Sequence, residues 1–235
     1  MTETSLNSAP VNRYESTAAW NEVDDYFTSH LTPEDQALVA ARESGAHTTM
    51  PNAEVSPNQG ALLRLLTQIA GARRVLEFGT LAGYSTIWFA RAVGPKGRVV
   101  TLELEERNAA IARANFERAG LDDRIDIVVG PAKQSAQQLI SDQVEPFDVV
   151  FIDADKPSNP AYLDAALTLT RPGAVIIIDN VVRNGEVTRD GGDDPRVAGV
   201  QTVTRDIAAH PDLEATAIQT VGVKGWDGLI IARRR

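Results

Sequence analysis

The chain has 235 residues, 43% of them hydrophobic and 23% charged, enough apolar material for one sizeable core. A formal net charge of −9 argues against a protein built to grip phosphate backbones. The absence of cysteine excludes disulfides, thiolate nucleophiles and Cys-bound zinc. No run of about 18 apolar residues is present to cross a membrane. No basic segment followed by an apolar one opens the chain either, so a cytoplasmic protein with neither membrane nor nucleic-acid partner is expected.

Residues 1–13 are polar and lack an apolar period, and are expected to form a mobile N-terminal segment. A single domain over 14–235 should follow, with helices over 14–70 and an alternating core over 74–235. From Ala18 to Leu31, the spacing of Ala19, Trp20, Val23, Tyr26 and Phe27 predicts an amphipathic helix. Thr32-Pro33-Glu34-Asp35 reads as a second helix start, ended by Gly45. Ser56 and Gln59, at capping-box spacing, open a third ahead of Leu62, Leu63, Leu65 and Leu66.

Strand-like runs then fall at 75–79, 98–103, 125–130, 147–153 and 174–179. Helical segments lie between them at 84–93, 106–119, 133–142 and 159–171, with Gly120 and Pro172-Gly173 as stops. This alternation predicts a doubly wound α/β fold with a parallel sheet and crossover helices. A Gly/Asp-rich loop (183–195), a helix (197–209) and two final strands (214–221, 226–233) read as an antiparallel hairpin completing a seven-stranded sheet.

In such a sheet, the carboxyl ends of neighbouring strands open into one crevice. The first strand runs into Glu77-Phe78-Gly79-Thr80-Leu81-Ala82-Gly83, a strand-turn-helix without the G-x-G-x-x-G spacing of a dinucleotide site. Two glycines four apart let a ligand approach the backbone. A carboxylate two residues before the first would repel a pyrophosphate but favour an ammonium or sulfonium group. Glu103 ends the second strand, where an acid accepts hydrogen bonds from ribose hydroxyls; alone, it could equally be a surface acid at a helix start.

Asp153-Ala154-Asp155-Lys156 follows the fourth strand and Asp179-Asn180 the fifth. Oxygen ligands at adjacent strand ends suit a hard cation such as Mg²⁺ or Ca²⁺. His30, His47 and His210 show no ligand spacing for zinc or copper. A helix N-cap is a sound alternative for Asp155, ahead of the helix near 159, but not for Asp179-Asn180, which precede a long loop.

Glu77-x-Gly79-x-x-x-Gly83-Tyr84-Ser85 with Glu103 resembles the S-adenosylmethionine (SAM) site of class I methyltransferases. The Gly-Tyr-Ser ending, Phe-Ile-Asp-Ala-Asp-Lys and Ile-Ile-Asp-Asn are similar to the cation-dependent catechol and caffeoyl-CoA O-methyltransferase group from about residue 50 onward. The resemblance implies a Rossmann-like methyltransferase fold. It places Glu77 and Gly79 at the methionine part of SAM, Ser85 at its carboxylate and Glu103 at its ribose. Gly83 completes the turn, Gly130-Pro131-Ala132 lie by the adenine, Val55 closes over the cofactor, and Asp155 and Asp153 are further contacts. It makes Asp153, Asp179 and Asn180 ligands of a divalent cation and Lys156 the general base.

Asp227-Gly228 also matches, as a turn. Two residues after that glycine, the catechol enzymes carry a carboxylate that holds the ring; here the residue is Ile230. The implied activity is O-methylation of a small, aromatic vicinal diol by a homodimer. Other readings are a methyltransferase acting on another nucleophile, a nicotinamide-dependent oxidoreductase, or a noncatalytic nucleoside-binding module.

Overall fold

The computed structural model describes residues 17–189 and 192–235; the polar stretch 1–13 lies outside them. Helices α1 (Thr17–Leu31), α2 (Gln36–Ser44) and α3 (Pro57–Ile69) come first. Strands and helices then alternate: β1 (Arg74–Phe78), α4 (Tyr84–Ala92), β2 (Arg98–Glu103), α5 (Glu106–Ala119), β3 (Ile125–Val129), α6 (Ala132–Ser141), β4 (Phe147–Ile152), α7 (Asn159–Leu169) and β5 (Thr170–Asp179). After α8 (Pro195–Ala209), β6 (Leu213–Gly222) and β7 (Gly225–Arg234) form the hairpin.

The seven strands lie in the order β3-β2-β1-β4-β5-β7-β6. β1 to β5 pair in parallel, and β7 is antiparallel to both β5 and β6. Strand order reverses between β1 and β4, so the crevice of a doubly wound sheet opens beyond Phe78 and Ile152. Both faces of the sheet are covered, which is why the inner strands read as unbroken apolar runs. Val75, Val149, Phe151 and Ile177 pack into one core cluster, while Leu76, Phe78, Val150, Ile152, Ile176 and Ile178 pack into the other. This is the period-2 alternation of a strand buried on both sides.

Three details differ from the sequence expectation. α2 begins at Gln36, because Asp35 and not Thr32 takes the cap: its Oδ1 accepts the Leu38 N–H at 3.0 Å. α7 ends at Leu169, and Pro172-Gly173 fall inside β5. There the pairing with β4 slips between Phe147↔Thr170 and Val149↔Val175, a bulge that takes up the missing proline N–H. Only half of the capping box forms on α3. Ser56 Oγ accepts the Gln59 N–H at 3.2 Å, but the Gln59 side chain turns toward β5.

Candidate active site

Glu77, the fourth residue of β1, is wholly buried and pairs in register with Thr101 and Phe151. Its carboxylate accepts hydrogen bonds from Ser85 Oγ (2.6 Å), Thr86 Oγ1 and Thr101 Oγ1 (2.7 Å). Thr80 Oγ1 lies 2.7 Å from Thr101 Oγ1, extending the chain of hydroxyls into the turn. Burial pushes the Glu77 carboxyl up to about 7, against the three hydroxyls that favour its charged form; Asp153 adds to the rise. A buried acid of this kind is poised to meet a cationic ligand group.

The turn after β1 needs its two glycines. Gly79 (φ +96°) and Gly83 (φ +80°) sit in left-handed backbone, and Gly83 opens α4. A Cβ on Gly79 would stand 2.3 Å from the Asp153 carbonyl oxygen, and one on Gly83 would stand 2.3 Å from the Phe116 ring. The turn is thereby pressed onto the end of β4 on one side and α5 on the other.

Glu103 ends β2 and is 6% exposed. Its Oε2 accepts the Thr80 and Leu81 N–H groups at 3.2 and 2.8 Å. Its Oε1 accepts the Glu105 N–H at 3.0 Å and Asn108 Nδ2 at 3.1 Å. The surface-acid reading of Glu103 is thus excluded, since the residue is buried and stitches the turn after β1 to the end of β2.

At the ends of β4 and β5, Asp153, Lys156 and Asp179 come together. Lys156 Nζ lies 2.8 Å from Asp153 Oδ1 and is almost buried. Asp179, 4% exposed, accepts the Asn180 N–H at 2.8 Å. Its carboxyl is pushed up to about 7 by burial and then by the Asp153 charge, opposed by Lys156, the Asn180 N–H and the Gln59 amide. Asn180 holds left-handed backbone at φ +57°. Among the described residues, no group of three His, Cys, Asp or Glu side chains is arranged for a metal ion. The oxygen set here is two carboxylates and an amide, short of charge compensation except for one ammonium.

The remaining expected residues fall around this centre with different partners. Ser85 Oγ donates a hydrogen bond to Glu77 Oε1. Asp155 makes no cap bond and instead accepts from Tyr162, whose ring lies 4.7 Å from Phe78. Val55 is 5% exposed within the core cluster that holds Trp88 and Phe89. Ala132 is half-buried at the start of α6, after Gly130. Tyr84 points away from the crevice, and its hydroxyl donates to Glu34 Oε1 at 2.8 Å. Asp227 shapes a turn as expected, accepting the N–H groups of Val182, Arg183 and Gly228. Ile230 pairs with Ile178 inside the core.

Sequence reasoning missed several residues of the site. Thr86 and Thr101 carry no motif, and Gly199 on α8 supports Lys156 from behind: a Cβ there would stand 2.1 Å from the Lys156 carbonyl oxygen. Asn108 and Asn115 could have been found, because they lie on the buried stripe of α5 with Ala109, Ala112 and Phe116. A buried amide on an apolar stripe has to be holding something.

The family model described as O-methyltransferase matches residues 28–235. The chain belongs to the O-methyltransferase family. This methyltransferase is 49% identical over 211 residues to a catechol O-methyltransferase of Mycobacterium tuberculosis, covering 90% of this chain and 94% of the relative. It is 45% identical over 213 residues to a catechol O-methyltransferase of Niastella koreensis, covering 91% and 96%. Among solved structures, an O-methyltransferase from Bacillus cereus in complex with SAH superposes with a TM-score of 0.91 at 51% identity, covering 94% of this chain and all of that one. TomG from Streptomyces achromogenes, solved with SAM, also gives 0.91, at 44% identity over 93% and 98% of the two chains. The methyltransferase is accordingly a SAM-dependent enzyme of the catechol and caffeoyl-CoA type, with the Rossmann-like sheet expected of it. The oxidoreductase and noncatalytic readings are set aside.

Proposed function

We propose that this O-methyltransferase needs a divalent cation and methylates one hydroxyl of a small, phenolic vicinal diol. The observation that carries the reading is the acid pair Asp153 and Asp179 at the ends of the adjacent strands β4 and β5, Asp179 buried and pushed up to about 7, Asp153 ion-paired to Lys156. Two carboxylates and the Asn180 amide are hard oxygen donors, and a divalent cation would offset the burial and the Asp153 charge that together raise Asp179. These three residues would hold the ion. When bound, it would supply Lewis-acid polarisation of the acceptor oxygens.

The protein's own residues do the rest. Glu77 faces the cationic end of SAM, with Ser85, Thr86 and Thr101 fixing its carboxylate. Gly79 and Gly83 admit the methionine part, Glu103 takes the ribose, and Ala132 and Val55 flank the nucleoside. Lys156, acting as the neutral amine, takes the acceptor's proton as that oxygen attacks the methyl carbon; the methyl–sulfur bond breaks and SAH leaves with the electron pair on sulfur. Transfer of this kind depends chiefly on alignment and electrostatics. Because Ile230 is core, the acceptor is held by its oxygens and not by a carboxylate facing the ring. The aromatic α1 face, with Tyr26 59% and Leu31 72% exposed, is read as packing on a second copy; sedimentation at a monomer's rate would refute that.

The test is methyl transfer from SAM to a panel of catechols and monophenols, with Mg²⁺ or with EDTA. Turnover should require the vicinal diol and vanish in EDTA. Equal turnover in EDTA, or in Asp179→Ala, would overturn the cation dependence, and preference for monophenols would overturn the acceptor class.

A further inference from the structure

Two buried asparagines on α5 each join one part of the cofactor crevice to one point on the segment before α3. Asn108 is 3% exposed: its Nδ2 donates to Glu103 Oε1 (3.1 Å) and Thr49 Oγ1 (2.9 Å), and its Oδ1 accepts the Thr49 N–H (3.0 Å). Asn115 is 1% exposed: its Nδ2 donates to the Ala82 carbonyl (2.9 Å) and Ser44 Oγ (2.8 Å), and its Oδ1 accepts from Arg118. Seven residues apart, they share one helix face with Ala109, Ala112 and Phe116.

An apolar residue would fill either place at lower desolvation cost, so what these amides contribute is the connection they make. The segment they hold runs from the end of α2 to Val55 and α3. Ser44 is tied to the glycine turn and Thr49 to the acid at the end of β2. Glu103 accepts four hydrogen bonds here. Three come from backbone N–H groups; Asn108 is the one side chain among them. Opening of the segment breaks the bonds at Asn108 and Asn115, together with those of Lys224 Nζ to the Asn52 carbonyl and Glu54 Oε1, while the turn and α5 stay in place.

We propose that Asn108 and Asn115 are positioning residues, a paired clasp that holds residues 44–55 shut over bound SAM and sets how fast the cofactor leaves. This rests on the reading that Glu103 and the Gly79–Gly83 turn hold SAM. By linkage, the clasp that retains the ligand is itself protected while the ligand is bound.

The experiment measures SAH dissociation by stopped flow and amide exchange across 44–55, on the full chain. Asn108→Ala should speed SAH release about tenfold with little change in the association rate, and should raise exchange at 44–49. Asn115→Ala should act in the same direction. Thr49→Val, which loses the hydroxyl from the segment's side, should follow Asn108→Ala, while Thr49→Ser should match the wild type. The Thr49 variants keep the test valid if an asparagine variant fails to fold. Faster exchange at 44–49 with unchanged SAH release would overturn the clasp, as would faster release with unchanged exchange. If Glu103→Gln leaves SAH affinity intact, the cofactor reading fails instead, whatever the asparagine variants do.

Discussion

Lys156 Nζ stands 2.8 Å from Asp153 Oδ1, three residues earlier, and both belong to the segment that leaves β4 at the strand-order reversal. The pair is more sheltered than a surface ion pair, with 7% and 21% of the two side chains exposed. Lys156→Ala removes the proton acceptor and leaves the cofactor turn untouched. Its kcat should fall at least about 100-fold while the Kd for SAH, read by calorimetry, changes less than about threefold. A normal kcat would remove Lys156 from the mechanism.

Burial pushes the Glu77 carboxyl up to about 7 in the folded protein, from the 4.5 of a solvated glutamate. With the folded value raised, the native state binds more protons than the unfolded chain between these two limits. Stability from this group is therefore fully present below about 4.5 and is lost as pH rises to about 7. The loss is on the order of 3 kcal/mol. Urea unfolding of Glu77→Gln at pH 5 and pH 7.5 should show a smaller fall than the wild type. Identical slopes would mean that the acid is not held near neutrality.

Gly199 carries no chemistry, yet its missing side chain lets α8 touch the Lys156 backbone. Gly199→Ala must push the Lys156 turn away from α8 or displace the helix. We expect a stability cost of about 1–3 kcal/mol and a kcat at least about tenfold lower, with SAH affinity kept. Activity at the wild-type level would show that Lys156 is positioned from elsewhere.

Tyr84 belongs to the Gly-Tyr-Ser signature but binds Glu34, which also pairs with Arg42. Its role is to bracket α2 against α4. Tyr84→Phe should lower stability by about 1–2 kcal/mol in chemical denaturation and leave SAH binding and kcat unchanged. A weakened SAH affinity would instead place the hydroxyl in the cofactor's path.

The sheet was legible because its inner strands are buried on both faces, and strings such as Val149-Val150-Phe151-Ile152 have no other stable use. The acids at strand ends were legible for a related reason, since charge is placed at the tip of an apolar strand only where something meets it. Boundaries set by competition were harder to read. Asp35 outbid Thr32 for the cap, and Pro172 entered a strand through a bulge that depends on the neighbouring strand's register. Supporting residues were hidden most deeply. Thr101 matters because it lies opposite Glu77, and Gly199 because it meets Lys156 43 positions away in sequence.

The packing of Gly199 on Lys156 has an engineering consequence. Asp179 is anchored by β5 and Lys156 by α8, so the two groups take their positions from separate elements. Each group can therefore be shifted alone: a change in α8 should move the lysine while the acid at the end of β5 stays where it is.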